Sequence, residues 1–218
     1  MASVVTICNM ALGRIGIDQT IENIDDQNNR SRACKLFYAE TRDQLLRDFD
    51  WNFAKAVVAA GMLSDEQLLG WQYTYAYPTD AVVVRALTDS SGLRMPGWYS
   101  SGCAFGDYYG LQAQVRRIPF DIRANPDTTG RIIVTDLAEA YVWYTKRIED
   151  PNQFDPLFTS ALAWRLAAEI GGPLKASASV IQNAMNMAIA VTGQAATNTM
   201  NEQGMQDTRM SPSVAGRN

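Results

Sequence analysis

The chain has 218 residues, 47% of them hydrophobic and 19% charged, which gives enough apolar side chain for a sizeable core and rules out wholesale disorder. Its 23 acidic and 19 basic residues leave a net charge of −4, which weighs against a freestanding nucleic-acid binder, because such a protein neutralises phosphates with a basic footprint. There is no histidine, which removes Ser-His-Asp and Cys-His triads, His-ligated zinc and His general bases together.

In chain order, Ser3 to about Arg14 reads as a helix. Ser3 is a capping residue, and Val4, Ile7, Cys8, Ala11, Leu12 and Ile15 recur at helical spacing. The opening MASVVTICNMALGRIG has no basic n-region and too short an apolar run for a signal peptide. Ile21 to Asn28 is a polar connector whose Asp25-Asp26 and Asn28-Asn29 pairs favour turns and a cap. A second helix is expected from about Asn29 to Phe49, with Ala33, Cys34, Phe37, Tyr38, Leu45, Leu46 and Phe49 on its apolar face. Its charged residues, among them Arg30, Arg32, Lys35, Glu40, Arg42, Asp43 and Arg47, occupy faces that are wet or meet a partner. Helix is expected to resume from Asn52 to about Ala60 and to stop at Gly61.

The middle of the chain changes character. Trp71, Tyr73, Tyr75 and Tyr77 alternate with smaller or polar residues up to Pro78, which is strand periodicity with an aromatic face, expected to pack against the helices. Ala81 to Leu87, Leu111 to Ile118 and Arg131 to Thr135 are further strand candidates. Ser90 to Gly110 is rich in Gly, Ser and Tyr and reads as a long exposed loop. Ala138 to Ile148 has a composition open to helix, but Tyr141, Trp143 and Thr145 alternating with Val142, Tyr144 and Lys146 favours strand. Asp155-Pro156 opens a helix, and Gly171, Gly172 and Pro173 stop it. Ser177 or Ser179 opens a last helix, rich in Ala and Met, that runs to about Thr199. Beyond Asn201 the chain is polar and is expected to order only on a partner.

Motifs for chemistry are sparse. Cys8, Cys34 and Cys103 are far apart and read as reduced, mostly buried thiols. Asp48-x-Asp50-x-Asn52 opens like a calcium loop, but Phe53 stands where the loop needs glycine and Ala59 where it needs a bidentate Glu, so it reads as a solvated helix end. Gly102, Gly106 and Gly110 lack both the GxGxxG spacing and a following GK[ST], so a contact loop is favoured over a phosphate cradle. The acid pairs Asp25/Asp26 and Glu149/Asp150 could in principle serve a glycosidase, but such pairs at element ends usually cap helices or sit in solvated turns. No uncharged apolar stretch reaches the ~18 residues of a membrane span. Residue chemistry alone gives an α+β domain with an aromatic core and two partner-seeking regions, the loop and the tail.

Several segments, in order, resemble the tail tubular protein A family of short-tailed bacteriophages. They are Cys8-Asn9-x-Ala11-Leu12, Ile21-x-x-Ile24-Asp25-Asp26, Arg42-x-x-Leu45-Leu46 and Trp51-x-Phe53-Ala54 in the first quarter. WQYTYAYPTD, with Pro78-x-Asp80, follows in the middle. Asp150-Pro151, Asp155-Pro156-x-Phe158, Ala161-Leu162, Leu166-Ala167 and Pro173-Leu174 come towards the end. The match weakens across Ser90 to Asn125 and in the tail.

The resemblance implies a helical bundle formed by N- and C-terminal helices with a β-rich central insertion. Residues 1–66 and 150–200 would form the bundle, 67–149 the insertion and 201–218 an extended C-terminal tail. It implies a structural head-to-tail adaptor: a homo-oligomeric ring of about twelve copies between the portal protein and the tail nozzle protein, each copy presenting two different lateral surfaces. Genomic DNA would pass through its channel without sequence-specific binding, and a mildly acidic protein suits such a conduit. The protein would be assembled in the bacterial host cytoplasm and reside in the virion, with no catalytic, cofactor-binding or metal-binding residues and no membrane span. Expected contacts are Met205, Arg209, Met210 and Arg217 for the portal, Trp98, Tyr99, Tyr108 and Tyr109 for the nozzle, and Arg32, Glu40 and Asp43 for lateral pairs. Two alternatives are a connector or head-completion ring protein of another phage type, which would usually lack the aromatic strand, and a carboxylate-based virion wall hydrolase, which no constellation here supports.

Overall fold

The computed structural model describes residues 3–64, 70–90, 118–125 and 130–202. Over these residues the chain is a mixed α+β protein with four α-helices and seven strands in antiparallel sheets.

Helix α1 spans Val4–Arg14, and the Ser3 hydroxyl accepts from the Thr6 amide at 3.0 Å. The Asn9 side chain pins the connector that follows, accepting from the Ile21 amide at 2.8 Å and donating to the Ile21 carbonyl at 3.0 Å. Helix α2, Asn29–Asp48, is capped by Asn28, whose side chain accepts from the Ser31 amide. Its expected apolar positions Ala33, Cys34, Tyr38, Leu45 and Leu46 are buried. Arg42 departs from expectation, because it is also buried, at 7% exposure. Its guanidinium pairs with Asp43 at 2.7 Å, and that partner makes burial of the charge tolerable.

The expected helix over Asn52–Ala60 does not form. A single 3-10 turn at Asn52–Ala54 leads into strand β1, Lys55–Ala59. Helix propensity is overridden by pairing: β1 lies antiparallel to β7, from Lys55 opposite Thr145 to Ala59 opposite Tyr141. The remaining strands are β2 (Met62–Ser64), β3 (Tyr73–Ala76), β4 (Ala81–Thr88), β5 (Phe120–Ala124), β6 (Arg131–Thr135) and β7 (Tyr141–Lys146). One sheet has the order β1-β7-β4, the other β2-β3-β6-β5. Strand β5 was not expected from the sequence. The expected loop from Ser90 to Gly110 and nearly all of the expected strand from Leu111 to Ile118 lie outside the described residues.

The two sheets share their own core, made of Tyr75 from β3, Ala81, Val84 and Leu87 from β4, Ile133 from β6, and Val142 and Tyr144 from β7. This corrects the expectation that the aromatic strand packs against the helices. Tyr75 is buried between sheets, and its hydroxyl donates towards the Leu137 and Ala138 carbonyls, each at 2.7 Å.

Helix α3, Pro156–Gly171, starts where Asp155 accepts from the Leu157 and Phe158 amides. Helix α4 runs from Ala178 to Glu202. α3 packs against α1, α2 and α4, and buried apolar side chains from each of the four helices belong to one cluster with Trp51. The α3–α4 approach is close at Gly171, where an added Cβ would stand 2.7 Å from Ile181 Cγ1. Gly171→Ala is therefore expected to destabilise the fold by about 1–3 kcal/mol through overpacking. Adding Ile181→Ala should recover part of that loss. Urea unfolding of the two single variants and the double variant checks this, and simple additivity would contradict it.

Candidate interaction surfaces

Several carboxylates singled out in the sequence have structural partners. Asp25 pairs with Lys35 at 2.7 Å, Asp26 accepts from the Asn23 amide, and Asp150 accepts from the amide and side chain of Asn152. Those bonds hold the Asp150 carboxyl below the usual carboxylate range. Asp48 pairs with Arg165 of α3. Asp50 corrects the expectation of a solvated helix end: it is 6% exposed and faces Lys55 Nζ at 3.4 Å. Two residues on, Asn52 donates to the Thr199 carbonyl at 2.9 Å and so ties the α2–β1 link to the last turns of α4. Among the described residues no group of three or more Cys, Asp or Glu side chains is placed to hold a metal ion. Among them, too, no helix is long and apolar enough to cross a membrane.

Between α1 and α2 lies a buried set of titratable groups. Cys8 and Cys34 are both free and buried, as expected, whereas Cys103 lies outside the described residues. The hydrogen bond with Cys34, together with burial, pushes the Cys8 thiol up. Burial also pushes the nearby Tyr38 hydroxyl up to about 12, and that hydroxyl has no hydrogen-bond partner among the described residues. Because burial disfavours the ionised ring, this group leaves stability independent of pH below ~10, the ordinary tyrosine value, and lowers it as pH rises towards 12, where the unfolded chain ionises first. Tyr38→Phe is expected to raise stability at neutral pH by about 1 kcal/mol, since it removes an unsatisfied buried hydroxyl. It should also flatten the alkaline decline. Denaturation at pH 7 and pH 11 measures both effects.

Of the three residues expected in lateral pairs, Arg32 and Glu40 are exposed on α2, with Leu36, 70% exposed, midway between them. At spacings of four they line one stripe, an apolar centre between opposite charges. Leu36 was not singled out from the sequence, although its place among charged residues was visible there. Asp43 is engaged within the chain, at 2.7 Å from Arg42 and 2.9 Å from Arg147, which joins α2 to the end of β7. The expected portal contacts Met205, Arg209, Met210 and Arg217, and the expected nozzle contacts Trp98, Tyr99, Tyr108 and Tyr109, lie outside the described residues.

Two further surfaces emerge from the fold. Helix α4 buries Ala184, Ala188, Ala195 and Thr199 along one stripe and leaves Met185, Met187 and Ile189 exposed. At the corner between β1 and β2, Val57, Val58, Met62 and Leu63 are exposed. Beside that corner is a cleft of about 220 Å³ lined by Ala59, Ala60, Met62, Tyr75, Glu139 and Tyr141. Its floor is held by the Tyr75 hydroxyl on the Leu137 and Ala138 carbonyls.

No family model matches the chain, and no curated protein matches it.

Proposed function

We propose that this protein is a structural head-to-tail adaptor of a short-tailed phage, acting as a ring between portal and tail nozzle through which the genome passes. The reading rests on the ordered set of segments that resemble the tail tubular protein A family. What supports it is where those segments sit. Cys8, Ala11, Leu12, Ile21, Leu45, Leu46, Trp51, Ala54, Phe158, Ala161, Leu162, Leu166 and Ala167 all belong to a single buried cluster. The apolar motif residues of the first quarter and of the end of the chain thus form one packing unit, while Tyr75 of the middle segment lies in the core between the sheets.

In this reading the helices at the two ends of the chain form the bundle, and the strands between α2 and α3 form the insertion. A mildly acidic ring lets DNA slide, because a basic lumen would hold its phosphates. The tail, residues 201–218, engages the portal. The full-length protein is expected to bind the portal ring of the same genome. A variant ending at Glu202, which keeps every residue of both cores, should melt unchanged and bind at least about tenfold more weakly. Failure of the full-length protein to bind the portal ring would overturn the proposal.

A further inference from the structure

We infer that the exposed face of α4 is the knob, and the cleft at the β1–β2 corner the hole, of a head-to-tail contact between copies of this chain. The inference deepens the adaptor reading and rests on it, because it names the lateral surfaces of the ring.

Charge is the first reason. From Ala178 to Asn201, α4 carries no charged side chain, although charged residues make up 19% of the chain. Its outward face offers Ile189 at 74% exposure and Met185 at 45%, flanked by the uncharged Gln182, Asn183 and Asn186. An exposed helix facing water normally carries charges, whereas the centres of protein interfaces are depleted of them and enriched in Met. Such a face has no charge with which to select a charged partner or to hold nucleic acid, so its complement is an uncharged apolar surface.

The chain supplies that complement itself. Ala56 to Ser64 is also free of charge; it exposes Met62, which lines the cleft, with Leu63 next to it, and Val57 and Val58 on opposite faces of β1. The cleft walls are alanines, Met62 and the rings of Tyr75 and Tyr141, with Glu139 as the one charged lining residue. About 220 Å³ accommodates one branched aliphatic side chain such as Ile189. Binding energy concentrates where an apolar anchor fills a preformed pocket. Pairing α4 with α4 would leave the β1–β2 corner bare. Pairing knob with hole covers both surfaces and is heterologous, so it propagates from copy to copy until a ring closes.

Sedimentation of the full chain over a range of concentrations tests this, with Ile189→Asp and Met62→Asp as variants. Both side chains are exposed, and circular dichroism and melting verify that each variant folds; Ile189→Ser and Met62→Ser serve if an Asp variant does not. The wild type is expected to form species larger than a dimer. Each variant alone should lose association by at least about tenfold. An equimolar mixture of the two should give a heterodimer that grows no further, since one variant keeps its hole and the other its knob. Wild-type association in the Ile189 variant, or in the Met62 variant, would overturn the contact. So would a mixture that stays monomeric, or a wild type that is monomeric throughout. Portal binding by a monomeric wild type would leave the adaptor reading standing while this inference fell.

Discussion

Replacing Trp51 with alanine is expected to lower stability by about 3–5 kcal/mol, a large share of the ~5–15 kcal/mol that holds a typical domain folded. Trp51 is fully buried, and its indole N–H donates to the Leu45 carbonyl at 2.8 Å. Its ring meets Phe49 edge-on with centroids 5.4 Å apart and Phe158 edge-on at 5.0 Å. Phe53 and Phe154 complete the group, each against Phe158, at 5.0 and 4.9 Å. The cluster joins the segment that leaves α2 to the start of α3, so truncation opens a cavity between those two segments. Trp51→Phe keeps most of the volume and loses only the indole bond, and is expected to cost about 1–2 kcal/mol. Chemical denaturation of both variants gives the comparison, and equal losses would mean that the ring packing contributes little.

Arg85→Met is expected to cost about 2–3 kcal/mol, with the damage concentrated between the helices and the sheets. The last carbonyls of a helix have no partner within it and gather negative dipole charge. Arg85 reaches from β4 and aims the two N–H groups of one nitrogen, Nη2, at the carbonyls of Phe49 at 2.8 Å, Arg47 at 3.0 Å and Leu46 at 3.3 Å, all at the end of α2. It also donates to the Thr145 hydroxyl of β7 at 2.9 Å. One cation thus terminates α2 and attaches the β1-β7-β4 sheet to it. Hydrogen exchange should quicken in β4 and in the last turn of α2, and less in α3. Arg85→Lys should recover only part of the loss, because an ammonium cannot present the guanidinium's planar spread of donors. Uniform acceleration across the whole chain would contradict this local role.

The helices were legible because their ends are written in local chemistry. Ser3, Asn28 and Asp155 each cap the helix that the sequence places after them, and Gly171-Gly172-Pro173 ends α3. Strands β3, β4, β6 and β7 were legible from alternation. Strand β1 was not, because an Ala-rich run after Lys55 suits a helix in isolation, and only the distant β7 makes it a strand. β5 is short and carries Asp121 and Arg123, so no apolar run announces it; pairing with β6 defines it. Long-range polar contacts escaped for the same reason. Nothing near Arg85 in sequence shows that its partners lie more than thirty residues upstream. Arg42 read as a surface charge because its partner Asp43 was itself assigned to the surface. The candidate surfaces were legible in part. Arg32 and Glu40 are exposed as expected, whereas the cleft is assembled from β1, β2, β3 and the turn before β7 and exists only once the sheets have formed.

We propose that this chain becomes a ring on a portal. The most direct test is the native mass of the full-length protein alone and after mixing with the portal ring encoded by the same genome. A defined complex of one portal ring with about twelve copies of this chain is the predicted result. Folded protein and intact portal that never associate, at any ratio, would contradict it.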